Sequence, residues 1–178
     1  GPPNRAAASR TASKTSPGYR NRISALAGWM LTSTSDGSIE RRSAQLPVSS
    51  RAAALTAVGN AQRDRYLETG SLSDLDEARR CAEEALALTP EQHPRRAARL
   101  TNLAVLLSDD FAERADRSHL DRAIELYRQA LDLREPVASR IAERMNDLAL
   151  ALRDRYRDTE NSQDLDEAVD LASQAAAA

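Results

Sequence analysis

A single cysteine, Cys81, leaves this chain with no intrachain disulfide framework and no multi-cysteine metal site. Aromatic residues make up only 3 % of the 178 positions, and β-branched residues are scarce. That composition argues against a sheet-based fold, because those residue types pack best on a pleated surface. Glycine is equally thin, with only Gly59 and Gly70 after residue 50. No apolar run approaches the ~20 residues needed to span a bilayer. The N-terminus lacks the continuous apolar core of a signal peptide, so a cytoplasmic protein is expected, and Gly1-Pro2 reads as the scar of a protease cleavage.

Catalytic signatures are missing too. The two histidines, His93 and His119, read as lying in links between helices, and no serine or cysteine sits in a motif that would pair with them. There is no phosphate-binding glycine loop. The acidic runs at residues 73–77 and 163–167 lack the spacing of a calcium loop. Cys81 falls on the inner side of a helix, where a small apolar residue suits packing. The expectation is a protein with no enzymatic activity, no cofactor and no metal.

What remains is a helix-forming palette of Ala, Leu, Arg and Glu within 41 % hydrophobic residues. Charge divides the chain. Residues 1–49 hold seven bases and two acids, whereas residues 50–178 hold 18 bases and 25 acids, so a basic arm precedes an acidic body.

The body repeats. Tyr66, Phe111 and Tyr156 recur every 45 residues, and the same offset relates Leu75, Leu120 and Leu165, then Ala78, Ala123 and Ala168. It also relates Ala85, Ala130 and Ala175, and Leu55, Leu100 and Met145. Five registers sharing one ungapped period define three structural units, 50–94, 95–139 and 140–178, the last of them cut short. Within the second unit, Leu100, Leu103, Ala104, Leu107 and Phe111 form one helical stripe. Leu120, Ala123, Ile124, Tyr127, Ala130 and Leu131 form another. Between such stripes Gly70 suits a left-handed helix cap, Asp74/Glu77 and Asp164/Glu167 read as capping-box pairs, and Ser118/Asp121 as their shifted counterpart. Pro90, Pro94 and Pro136 punctuate the links. Each unit is therefore predicted to be a helical hairpin of helix A, turn and helix B.

These residues resemble the tetratricopeptide pattern W-x2-L-G-x2-Y, A-x3-F, P. The first unit supplies Leu55-x2-Val58-Gly59-x2-Gln62, Ala78-x3-Ala82 and Pro90. The second supplies Leu100-x2-Leu103-Ala104-x2-Leu107 and Ala123-x3-Tyr127, and the third Met145-x2-Leu148-Ala149-x2-Leu152 and Ala168-x3-Ala172. The usual unit has about 34 residues. About seven extra residues fall between the Gly59 turn and Ala78, and about four between Pro90 and Leu100. With its Arg-Asp-Arg-Tyr and Leu-Asp-Glu-Ala phrases, the long variant is similar to repeat regions joined to CHAT peptidases and NLR-type NTPases, and the segment from Leu100 resembles kinesin-light-chain repeats. The resemblance implies an all-α, right-handed α-solenoid of three hairpins.

It also implies a function: binding a peptide or partner protein on a concave wall lined by the A helices. Carried over unit by unit, the groove positions are Thr56, Thr101 and Asn146; Ala57, Asn102 and Asp147; Asn60, Val105 and Leu150; and Arg63, Ser108 and Arg153. Asn102 stands out, because an amide side chain can hold a peptide backbone by donor and acceptor together. The family's chaperone-tail clamp is not expected, since Ala57 and Asp147 occupy two of its places and Asp147 would repel an acidic terminus. A second implied role is intramolecular: a sensor region restraining an attached effector domain, a peptidase or an NTPase. Nucleic-acid binding is the alternative from another class. It is disfavoured because Asp64, Asp154 and Asp158 interleave with Arg63, Arg65, Arg153, Arg155 and Arg157, which read as helix-surface ion pairs on an acidic body.

Residues 1–16 read as a disordered tag or linker and residues 17–49 as a basic extension. Ile23, Leu26, Trp29 and Met30 recur at helical spacing, which predicts one amphipathic helix over residues 18–33. Three roles fit the extension: a cap on the first hairpin, a basic ligand occupying the acidic array in this molecule or a neighbour, or plain disorder.

Overall fold

The computed structural model describes residues 47–133 and 137–177. Residues 1–16, nearly all of the basic extension with its predicted helix, and Pro136 lie outside those residues. Six helices follow one another: α1 (Val48–Thr69), α2 (Leu72–Ala87), α3 (Arg96–Arg114), α4 (Arg117–Asp132), α5 (Ala138–Thr159) and α6 (Ser162–Ala177). Among the described residues there is no strand. The fold is the expected α-solenoid of three helical hairpins, α1–α2, α3–α4 and α5–α6.

The 45-residue period is exact in the backbone. The A helices α1, α3 and α5 end at residues 69, 114 and 159, and the B helices α2, α4 and α6 each run for 16 residues. Each A helix stops at a left-handed residue: Gly70 at φ 72°, Ala115 at φ 54° and Glu160 at φ 55°. The N–H of each cap donates to the carbonyl of the periodic aromatic four residues earlier, at 2.7, 2.8 and 2.7 Å for Tyr66, Phe111 and Tyr156. The residues beyond the usual unit length lie mainly in these long A helices. α3 alone starts late in register, because Pro94 disfavours a helical conformation at the residue before it.

The helix starts differ from the sequence reading. Asp74 and Asp164 are not caps: each lies inside the first turn of its B helix, buried at 7 % and 3 % exposure. Asn161 precedes α6 and accepts from the Gln163 N–H at 3.2 Å, while Asp116, not Ser118, caps α4 by accepting from the Ser118 N–H at 3.0 Å. Three-residue spacing to a glutamate is satisfied by any acid near a helix start, so the pattern could not separate a cap from a buried ion-pair partner.

Each hairpin packs tightly within itself, and each B helix packs on the next A helix, α2 on α3 and α4 on α5. Leu75, Leu120, Ile124, Leu126, Leu148 and Leu152 are fully buried along this stack. The stripe predicted for α3 is buried at Leu100, Leu103, Ala104 and Leu107, with Phe111 partly so. A second, smaller cluster of Ala54, Leu55, Val58, Cys81 and Ala85 lies within α1–α2. Gly59 permits the close crossing there, since a Cβ would stand 3.2 Å from the Ala78 carbonyl and 3.3 Å from the Cys81 Cβ. Cys81 packs as expected, and burial, ahead of its acidic neighbour Glu77, pushes its thiol up to about 12.

Candidate functional site

Successive A helices touch each other far less than they touch the B helices between them, which leaves a furrow along their shared face. Between α1 and α3 the furrow deepens to a cleft of about 190 Å³ lined by Ala53, Thr56, Ala57, Asn60, Arg95, Ala98, Arg99 and Asn102. Below it a smaller recess of about 10 Å³ reaches Gly59 and, on α2, Ala82 and Ala85, with Leu106 on its far wall. The recess lies at the seam between the two core clusters, where glycine and alanine leave space that larger side chains would fill.

Helical geometry explains who faces the cleft. Ala53, Thr56, Ala57 and Asn60 fall at three- and four-residue spacing on α1, as do Ala98, Arg99 and Asn102 on α3. The Thr56 hydroxyl donates to the Ala52 carbonyl at 2.8 Å, so toward the cleft it offers an acceptor. Neither the Asn60 nor the Asn102 amide has a hydrogen-bond partner among the described residues, although both line the cleft and its recess. Arg99 is 5 % exposed and its guanidinium donates to the Thr89 hydroxyl, with Thr89 itself donating to the Ala85 carbonyl at 2.5 Å.

The far end of the α1–α3 furrow is tied shut. Arg63 Nε donates to Asp109 Oδ2 at 2.6 Å, and the Tyr66 hydroxyl donates to Glu113 Oε1 at 2.7 Å. Burial first, and the Glu113 hydrogen bond second, raise the Tyr66 phenol far above its ordinary value, so it stays protonated. The cleft is thus open toward the start of α3 and closed toward its end.

The positions carried over from the resemblance divide accordingly. Thr56, Asn60 and Asn102, with Ala57, come together in the cleft. Thr101 and Ser108 donate to carbonyls of their own helix, at 3.0 and 3.1 Å. Val105 packs against the core. Arg63 is held by Asp109, and Arg153 by Asp154 at 3.1 Å. Asn146 is exposed, with Asp147 and Leu150 partly so, on α5 outside the cleft. Ala53, Arg95, Ala98 and Arg99 were missed by sequence reasoning; their offsets of three and four residues from Ala57 and Asn102 were the available signal.

Two further readings change. His119 is not in a link but in the first turn of α4, its Nδ1 2.8 Å from Asp110 Oδ2. The arginines of the Arg-Asp-Arg-Tyr phrases serve more than one helix surface. Arg65 pairs with Asp74, and Arg155 with Asp164 at 2.7 Å and Asp121 at 3.1 Å, all across helix boundaries. Among the described residues no group of His, Cys, Asp or Glu is arranged to hold a metal ion, and no helix is long and apolar enough to cross a membrane.

No curated protein matches the chain. Residues 141–176, which span nearly all of α5 and α6, match the family model of the tetratricopeptide repeat, so the third hairpin is similar to such a repeat.

Proposed function

We propose that this array is a protein-interaction module that holds an extended segment of a partner polypeptide along the face shared by α1, α3 and α5. The observation that carries this reading is the α1–α3 cleft, where two amide side chains without partners among the described residues flank a recess floored by Gly59, Ala82 and Ala85. An extended peptide backbone presents alternating N–H and C=O groups. Each amide can serve one of each, and the Thr56 hydroxyl accepts an N–H. Tetratricopeptide repeats generally mediate protein–protein interaction, and the match of the third hairpin to that family supports the same use here.

The test is selection of ligands from a library of random twelve-residue peptides displayed on phage. Affinities of the selected peptides follow by fluorescence anisotropy. An Asn60→Ala/Asn102→Ala double variant is expected to bind them about tenfold more weakly, through two lost hydrogen bonds. Arg122→Ala, on the outer face of α4, is expected to bind them unchanged. Equal affinity across all three proteins would remove the cleft from the binding surface.

A further inference from the structure

The outermost helices α1 and α6 carry the two halves of a junction that the array shows whole where α5 packs on α4. At that junction Leu120, Ile124 and Tyr127 of α4 are buried. One repeat on, α6 bears Leu165, Val169 and Ala172 at the same positions, and all three are exposed, Val169 to 58 % against 1 % for Ile124. Their four- and three-residue spacing makes them one apolar stripe. The polar register agrees. Asp76 of α2 receives Arg114 of α3 at 2.9 Å, and Asp121 of α4 receives Arg155 of α5 at 3.1 Å. Each of these aspartates takes an arginine from the A helix packed on its own helix. Asp166, third in the series, has no partner among the described residues.

The complement lies on α1. Arg155 gives Nε and Nη2 to Asp164 of its own hairpin and Nη1 to Asp121 of the hairpin before. Arg65, two repeats earlier, gives Nε and Nη2 to Asp74 in the same way, but its Nη1 has no partner among the described residues. One turn before it on the same face, Ala61 is only partly buried, whereas its counterparts Leu106 and Ala151 are buried. We infer that a second copy of this chain docks its α1 on α6 of the first, head to tail, with Leu165, Val169 and Ala172 against the Ala61 side of α1 and Arg65 Nη1 on Asp166. A second copy is the occupant because one chain carries both the unfilled acid and the unfilled donor, in the register that already joins Asp121 to Arg155. The two surfaces differ, so every docking leaves an end open and assembly continues past a dimer. Two helices make a small interface of the transient class, so association is expected at about 100 µM and above, while at the ~5 µM of a denaturation experiment α6 stays uncovered.

Sedimentation velocity of the intact chain between about 5 and 500 µM tests this. The inference predicts a sedimentation coefficient that climbs with concentration without stopping at a dimer. Val169→Glu blocks the α6 end and Ala61→Glu the α1 end, with circular dichroism to check that both variants fold. Each alone is expected to stay monomeric, and an equimolar mixture to form a dimer, because each retains the end that the other lacks. Asp166→Asn is expected to weaken association of the otherwise intact chain about threefold, through loss of one exposed ion pair. A chain still monomeric at about 500 µM would overturn the inference, as would blocked variants that remain monomeric when mixed. Association abolished by Val169→Glu and untouched by Ala61→Glu would overturn it too, since α6 would then be pairing with α6.

Discussion

Asp110 and His119 face each other with the reverse polarity of their counterparts one repeat away on either side. In the first hairpin the A helix supplies Arg65 and the B helix Asp74, and in the third they supply Arg155 and Asp164. In the middle hairpin the A helix supplies the acid and the B helix the imidazole, 2.8 Å apart. The acid is almost fully buried, with its side chain 1 % exposed, and Arg114 and Arg79 also approach it, the latter at 3.8 Å. One carboxylate thus gathers Arg79 of α2, Arg114 of α3 and His119 of α4, and ties the first hairpin to the second.

Removing that charge should strand two arginines, Arg79 and Arg114, in a poorly solvated place. Asp110→Asn is expected to lower unfolding free energy by about 3–5 kcal/mol, the range for breaking a buried ionic cluster. Urea denaturation measures it. A loss below ~1 kcal/mol would mean that the cluster is solvated in practice.

The outer pairs predict how the array responds to acid. Hydrogen bonds from Arg65 and Arg155 hold the Asp74 and Asp164 carboxyls below the usual carboxylate range. Both therefore bind protons more weakly folded than unfolded. Their stabilisation is present above the unfolded value of about 3.9 and is lost as pH falls through the depressed folded values. The Arg155 side chain is 22 % exposed against 48 % for Arg65, so the third hairpin should show the larger effect. Asp164→Asn is expected to flatten the acid limb of the stability profile between about pH 5 and pH 2, and Asp74→Asn to flatten it less. Thermal unfolding across that range checks both.

The A-helix ends offer a cleaner test of backbone strain. Ala115 and Glu160 occupy the left-handed region that Gly70 fills in the first hairpin. Ala115→Gly and Glu160→Gly should each stabilise by about 0.5–1 kcal/mol, the relief of strain exceeding the added freedom of the unfolded chain. Gly70→Ala should cost about 1 kcal/mol through φ alone, since a Cβ there meets nothing within 4 Å. Shifts in Tm of opposite sign are the expected signature.

Equivalent residues need not be equivalent in energy. Leu120 and Leu165 share a register, but α5 covers the first to 1 % exposure while the second remains 36 % exposed on α6. Leu120→Ala should cost about 2–5 kcal/mol, as a large-to-small change in a core. Leu165→Ala should stay within about 1 kcal/mol. Similar losses at both positions, read by urea denaturation, would mean that the α6 face is covered in solution.

Most of this architecture was legible in the residues. Helix type, the A–turn–B order and the buried stripes follow from apolar spacing, and the aromatic period marks where each A helix ends. What escaped were contacts between residues far apart in the chain. Asp74 looked like a cap because its partner Arg65 belongs to the previous helix, and Arg63 looked available because Asp109 lies on α3. The reversed pair escaped for another reason: a search for recurring residues passes over a position where Arg becomes Asp and Asp becomes His. Thr56, Asn60 and Asn102 could be placed on one face because their register alone sets which way they face. The depth of the cleft beside them depends on Gly59, Ala82 and Ala85 meeting across two helices, and no local pattern reports that.

The most direct test of the central claim is a two-dimensional amide NMR titration of the chain with a peptide selected by the library, following backbone and Asn side-chain resonances together. The account predicts saturable shifts concentrated at Thr56, Asn60, Arg99 and Asn102, with the Asn60 and Asn102 side-chain amides among the largest. Shifts confined to the outer B-helix faces, around Arg122 and Glu125 of α4, would contradict it.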